Sequence, residues 1–309
     1  LEDSVFRNCT NLVTVNLTIN VTIIGNYVFK GCTSLTTISN ITGLTFIGLN
    51  AFESTAITTF TIPTGVETVS NFTFKNCIYL TTVNLPSTIT AIGDQEINGS
   101  SFEGCIALAS VSGLSNVTYI GGASFKGCTN NPLTLDFSEA ALTYIGRRAF
   151  EGCTYLTTVD LAGSTESLID DNIRESAFAN SGITSITLPT GITTLSSYTF
   201  NECTSLASVT LSANLRIIAA NMFTGCTALT SITIPSNVIT IGFAAFQYSG
   251  IQTITFNRTL PPQFAGSLET ERVFANMQDQ QTAYIPNGTV AGLWTTRLRN
   301  AGWTAAITN

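Results

Sequence analysis

Apolar positions in this chain recur with two periods, one nested inside the other. Phenylalanine sets the longer one. Phe6, Phe29, Phe52, Phe74, Phe102, Phe125, Phe150, Phe178, Phe200, Phe223, Phe246 and Phe274 follow one another at intervals of 22 to 28 residues, and they are 12 of the 19 phenylalanines. Inside each interval runs the pattern Leu-x-x-Leu-x-Leu. It reads Leu12/Val15/Leu17, Leu80/Val83/Leu85, Leu156/Val159/Leu161, Leu206/Val209/Leu211 and Leu229/Ile232/Ile234, with Ile57/Phe60/Ile62, Ile183/Ile186/Leu188 and Ile251/Ile254/Phe256 as variants. Its last two apolar positions alternate with polar ones, the period of a strand buried on one face. Pro63, Pro86, Pro189 and Pro235 follow directly. Proline has no N–H with which to continue a ladder, so it marks the strand exit. A second apolar pair comes next, such as Val21/Ile24, Ile89/Ile92, Val117/Ile120 and Val238/Ile241. Gly25, Gly48, Gly93, Gly121, Gly146 and Gly242 then stand where the chain is expected to turn back.

One such coil cannot bury its own apolar side, whereas stacked coils share a continuous core. The pattern therefore predicts a leucine-rich-repeat solenoid, right-handed and curved, made mainly of β-strands joined by turns and short 3-10 segments. Phe29, Phe74, Phe102, Phe125, Phe150, Phe200 and Phe223 are expected to form an interior spine. Residues 1–256 carry about eleven rungs, and residues 257–309 hold the last rung and a C-terminal capping region. Two rungs shift the pattern, Leu35/Ile38/Ile41 and Leu108/Val111/Leu114, and local bulges are expected there. A third, Leu133/Leu135/Phe137, carries one extra residue. Leu1 occupies the position that Ile24 holds one rung later, so the chain is expected to be a fragment that opens in mid-rung, with more rungs or a cap before it.

Eight cysteines suggest a disulfide framework by count alone, yet their placement argues otherwise. Cys9, Cys32, Cys77, Cys105, Cys128, Cys153, Cys203 and Cys226 each lie three residues after a ladder phenylalanine. The rungs after Phe52, Phe178 and Phe246 lack the cysteine and are one residue shorter before the next apolar position, and Met277 takes the slot after Phe274. A small apolar side chain filling an interior slot accounts for this. Stacked slots about 5 Å apart, with parallel side chains, hold the Cβ atoms too far apart for an undistorted disulfide. Zinc is disfavoured because no Cys-x-x-Cys is present and a straight row cannot close a tetrahedron.

Composition narrows the function. Only 10% of residues are charged and the net charge is −7, which argues against a nucleic-acid partner. No run of about 18 apolar residues is present, so no transmembrane segment is expected. The chain has no histidine, which removes the commonest general base and metal ligand. Phosphate-binding glycine loops and nucleophile elbows are absent as well. An enzyme is not expected, and neither is a cofactor or a metal.

The string Ala149-Phe150-Glu151-Gly152-Cys153-Thr154-Tyr155-Leu156-Thr157-Thr158-Val159-Asp160-Leu161 resembles the BspA-like class of leucine-rich repeats, as does Phe223-Thr224-Gly225-Cys226 through Ile234-Pro235 to Ile241-Gly242. Toward the end, Ala283-Tyr284-Ile285-Pro286-Asn287-Gly288-Thr289-Val290, then Leu293-Trp294 and Gly302-Trp303, is similar to the C-terminal cap of bacterial members. The slot three residues after the last strand leucine holds Asn20, Thr88 or Asn237, so no regular asparagine ladder is expected. The resemblance implies an extracellular or cell-surface protein of host-associated microbes, adhesin-like, with a protein ligand on a host or microbial surface. A glycan-binding module and a structural spacer are the alternatives.

Three sets of residues are candidates for ligand contact. Outward residues of the first strand form a polar column, with Thr82, Asn84, Thr158 and Asp160 among them, that serves either as solvent cover or as a hydrogen-bonding face. A second column, just before the Ile-Gly turn, has Thr as its neutral filler, so Phe46, Tyr119 and Tyr144 stand out as interface aromatics unless they pack on their neighbours. Longer intervals add loops bearing Asp94, Gln95, Glu96 and Asn98, then Glu166, Asp170, Asp171 and Glu175, then Pro261 to Arg272. Solvated loops are expected there, because no calcium-loop spacing is present.

Overall fold

Two short strands recur in most rungs, because β-favouring Thr, Val and Ile alternate there before a proline or glycine breaks the run. A computed structural model describes residues 1–93, 99–164, 168, 171–258, 261–264, 282–286 and 304–308. The chain divides into two compact units, Leu1–Ser164 and Thr165–Asn309.

In the first unit the first strand row begins with Thr14–Asn16 paired to Thr37–Ser39. It continues with Thr59–Thr61, Thr82–Asn84, Ser110–Ser112 and Thr134–Leu135 in one parallel sheet. Phe60, Val83, Val111 and Leu135 lie in register and are buried. A second row pairs Ile23–Ile24 with Phe46–Ile47, then stacks Thr68–Val69, Ala91–Ile92, Tyr119–Ile120 and Tyr144–Ile145. In the second unit Ser185–Thr187 pairs with Ser208–Thr210, and Ser231–Ile234, Thr253–Phe256, Thr282–Pro286 and Thr304–Thr308 form a four-stranded parallel sheet. The motif similar to a cap thus contributes a strand, Thr282–Pro286, that continues the first row, with Ala283 buried beside Ile254. Trp294, Trp303, Phe274 and Met277 lie outside the described residues. The fold is a parallel β-solenoid with leucine-rich-repeat rungs, and 3-10 turns stand at Leu114–Asn116 and Ala162–Ser164.

The phenylalanine spine is the centre of each unit. Phe29, Phe52, Phe74, Phe102, Phe125 and Phe150 are fully buried in the first, and Phe178, Phe200, Phe223 and Phe246 in the second. Consecutive rings stack at 5.3 to 5.6 Å, with interplanar angles from 1° to 19°. Burying one such ring contributes about 1.5–3 kcal/mol, and each offset pair adds roughly 0.5–1.5 kcal/mol.

The turn that carries this spine has a backbone rule that the apolar pattern does not announce. The residue two before each described ladder phenylalanine has positive φ, from Ser4 and Tyr27 through to Ala244. So does the residue two after it: Gly31, Gly104, Gly127, Gly152 and Gly225 in five rungs, and Asn8, Ser54, Asn76, Asn180, Glu202 or Tyr248 in the others. This alternation aims every second N–H at the next rung. Tyr27, Phe29 and Gly31 donate to the carbonyls of Leu49, Ala51 and Glu53 at 2.8, 2.9 and 2.8 Å. The intervening Lys30 and Cys32 close turns back to Tyr27 and Phe29. A left-handed non-glycine residue costs roughly 1–2 kcal/mol, which the inter-rung bonds and ring burial offset.

Several expectations change. The shifted rungs are not bulges within a strand, since Ile38 stays opposite Val15 and Val111 opposite Val83. The extra residue is taken up after the strand, by Asn40 and Gly113 in left-handed conformation. Nor do most Ile-Gly glycines serve the turn through φ. A Cβ on Gly48 would stand 2.6 Å from the Gly25 carbonyl carbon, and one on Gly242 would stand 2.5 Å from the Ala220 nitrogen. Close approach between rungs is what excludes a side chain there.

All eight cysteines are free thiols; Cys9 is exposed and the other seven are buried. Each buried thiol is also a donor. Cys32, Cys77, Cys105, Cys128, Cys153, Cys203 and Cys226 hydrogen-bond through Sγ to the carbonyl oxygen of the preceding rung's ladder phenylalanine, at 3.0 to 3.2 Å. In the rungs without cysteine, Thr55 and Ser249 donate to the carbonyls of Phe52 and Phe246 at 2.9 and 2.7 Å, and Ser181 lies 3.5 Å from the Cys203 sulfur. The slot selects a small donor, not merely a small apolar group. Asparagine ladders are also present in part: Nδ2 of Asn214 and Asn237 donates to the carbonyls of Thr190 and Ala213, each at 2.9 Å.

Candidate functional site

Outward residues of the first row in the first unit are Thr, Ser and Asn because the inward positions alone must be apolar. They form a hydrogen-bonded chain across rungs. Asn84 Nδ2 donates to Thr61 Oγ1 at 3.2 Å, and Ser112 Oγ donates to Asn84 Oδ1 at 2.8 Å. Thr82 is half-buried beside Asn84, which is exposed. Beyond Ser110–Ser112 the surface opens into a groove of about 350 Å³ lined by Ser110, Ser112, Ser115, Thr134, Asp136, Ser138 and Glu139. The Asp136 carboxylate accepts the Ser138 N–H at 3.0 Å and the Ser138 hydroxyl at 2.7 Å. Those two bonds hold its carboxyl below the usual range. Thr158 and Asp160 are exposed in the rung after Thr134 and Asp136. The groove could be anticipated only from the irregular rung at Leu133/Leu135/Phe137, whose strand pairs with Ser110 and Val111 but not with Ser112.

In the second row Tyr119 and Tyr144 are in register and half-buried. Their rings stack at 4.6 Å with 5° between planes. They do pack on one another, as one of the two expectations held, and they do so as a fixed pair at the surface. Phe46 is not part of this pair. It is 46% exposed, lies beside Ile23, and is separated from Tyr119 by the rungs of Thr68 and Ala91.

A column of charge passed unnoticed in the sequence. From Phe29 to Phe150 the residue after the ladder phenylalanine pairs across rungs, as Lys30–Glu53 at 2.7 Å, Lys75–Glu103 at 2.7 Å and Lys126–Glu151 at 3.2 Å. Partly exposed pairs of this kind contribute about 0.2–1 kcal/mol each. Alternating signs at the position after the phenylalanine were the available signal. Among the described residues no group of three or more His, Cys, Asp and Glu side chains stands ready for a metal, and no helix is long and apolar enough to cross a membrane. Asp94 to Asn98, Glu166, Asp170 and most of Pro261 to Arg272 lie outside the described residues.

A leucine-rich repeat protein of Bacteroides ovatus has a solved structure with 20% identity and a TM-score of 0.65, covering 100% of this chain and 81% of that one. A leucine rich cell surface protein of Faecalibacterium prausnitzii matches at 21% identity and a TM-score of 0.43, covering 86% and 83%. The pneumococcal vaccine antigen PcpA matches at 11% identity and a TM-score of 0.47, covering 96% and 79%. The first of these shares the fold. No curated protein sequence matches the chain. The BspA type leucine rich repeat region matches in six copies, over residues 1–96, 94–172 and 166–267. With its phenylalanine spine, thiol slot and paired parallel strands now in view, the chain belongs to the BspA type leucine rich repeat family.

Proposed function

We propose that this chain is a non-catalytic binding module, displayed at the cell surface or secreted, that acts adhesin-like by holding a protein on a host or microbial surface. The observation that carries this reading is the Tyr119–Tyr144 stack. Two tyrosines in register on adjacent rungs hold each other's half-buried rings in a stack, with little rotamer freedom left to lose. That is the profile of a protein-binding hot spot. A chain without histidine, whose exposed columns are hydroxyls and amides, supports binding over catalysis. Placement outside the cell rests on the family resemblance.

A second reading is a glycan-binding module, favoured by the Ser110–Glu139 groove, whose hydroxyls and carboxylates suit sugar hydroxyls. The test is binding of the labelled chain to epithelial and bacterial cells after protease or periodate treatment of those cells. Protein recognition predicts loss after protease and retention after periodate. The opposite result would favour the glycan reading, and no saturable binding to either cell type counts against both.

A further inference from the structure

A different set of residues in the second unit forms a built groove. Thr193, Arg216 and Ile239 occupy one position in three successive rungs: the Arg216 N–H donates to the Thr193 carbonyl and the Ile239 N–H to the Arg216 carbonyl, both at 2.8 Å. Two residues before the latter pair stand Asn214 and Asn237. These five residues line a groove of about 380 Å³. Arg216 is exposed and forms no ion pair among the described residues. By contrast, Lys30, Lys75, Lys126, Arg148 and Arg174 each face a carboxylate.

The two asparagines are locked. Each Nδ2 is bound to a carbonyl of the preceding rung, which leaves Oδ1 as a fixed acceptor. The groove therefore offers a guanidinium fork, two positioned carboxamide oxygens and the apolar side chain of Ile239. Arg258 adds positive potential nearby, since its Nη1 is hydrogen-bonded to the carbonyl of Val238, between Asn237 and Ile239.

We infer that this groove binds the carboxylated sugar unit of an acidic glycan. The guanidinium takes a carboxylate with two parallel N–H···O bonds. The amide oxygens need donors, and a uronic-acid-type sugar carries ring hydroxyls close to its carboxylate, the nearest on C4, one carbon beyond the carbon that bears the carboxylate. Ile239 covers the C–H face of the ring. An acidic peptide supplies the anion but lacks clustered hydroxyl donors around it. This site is independent of the tyrosine pair, so either assignment can fail alone.

The test measures binding of three probes to the full chain by titration calorimetry and ligand-observed NMR. These are an oligosaccharide of glucuronic acid, the same oligosaccharide with its carboxyls reduced to alcohols, and glutarate, a dicarboxylate without hydroxyls. The expected result is saturable binding of the acidic oligosaccharide, weaker by about tenfold or more for each of the other two. Arg216→Gln should cost about tenfold or more and Arg216→Lys less, because the charge stays and the fork is lost. Arg216 is exposed, so circular dichroism should be unchanged in both variants. Unchanged affinity in Arg216→Gln, no saturable binding of the acidic oligosaccharide, or equal binding of glutarate would each overturn the assignment.

Discussion

The thiol of Cys153 donates a hydrogen bond to the carbonyl oxygen of Phe125, 3.0 Å away in the preceding rung. The same oxygen receives the backbone N–H of Cys128 at 3.1 Å. Both lone pairs of a buried carbonyl are thereby used, one within the rung and one between rungs. A buried acceptor without its donor is costly, so the repeated cysteine is explained by satisfaction as much as by size.

Replacing Cys153 by alanine removes this donor and leaves a void. The expected destabilisation is about 1–3 kcal/mol near neutral pH, measured by urea unfolding. Burial pushes the Cys153 thiol up to about 12 from an ordinary value of 9.0. A raised thiol value means the folded chain holds the proton while the unfolded chain gives it up. The stabilisation is complete below pH 9 and is lost as pH rises toward 12. The gap between native and variant should therefore shrink over that window, and a gap that widens would contradict the assignment.

Phe150 and Phe46 separate spine from surface. Phe150→Ala empties a fully buried position stacked 5.4 Å from Phe125 and should cost about 3–5 kcal/mol. Phe46→Ser should stay within about 0.5 kcal/mol. Thermal and urea melts of both variants check this, and equal effects would refute the interior spine.

Gly113 and Gly127 both have positive φ, at 79° and 70°, but differ in their surroundings. A Cβ on Gly113 would meet the Leu85 carbonyl oxygen at 2.1 Å, whereas one on Gly127 meets nothing within 4 Å. Gly113→Ala is expected to cost more than about 2 kcal/mol, from strain plus clash. Gly127→Asn, which copies Asn8 and Asn76 in the same slot, should cost less than about 1 kcal/mol. Comparable melting temperatures for the two variants would show that Gly113 is not crowded by Leu85, or that Gly127 is not open, as described.

How much of this was legible beforehand depends on which force set each feature. Burial wrote itself plainly: the phenylalanine ladder, the strand positions around Val83 and Ile254, and the interior placement of seven cysteines follow from apolar period alone. Features set by backbone conformation were hidden. Ser4, Tyr27, Phe72, Arg148 and Ala244 share a left-handed φ without sharing any chemistry, because the inter-rung hydrogen bonds, not residue preference, impose it. Thr82, Asn84, Tyr119 and Tyr144 were readable as outward positions, yet their hydrogen bonds and ring stack depend on rung register. The Arg216 groove was readable only in part: Asn237 stood out in the slot after the strand, whereas Thr193, Arg216 and Ile239 share a register position without sharing any chemistry.

Tyr119→Ser and Tyr144→Ser address the protein-binding surface. Losing the stack should cost about 0.5–1.5 kcal/mol of stability and leave the fold intact. Binding to the protein partner should fall about tenfold or more in each variant. Retained cell binding in the double variant, with a normal melt, would remove this pair as the anchor.

Every functional assignment above requires rungs stacked so that the thiol row lies inside. Titration of the native chain with an aromatic disulfide reagent tests that requirement directly, using the denatured chain as reference. One thiol, Cys9, is expected to react promptly, and the seven others only after unfolding. Prompt reaction of three or more thiols, or fewer than eight thiols in the chain denatured without reductant, would contradict the stacked interior.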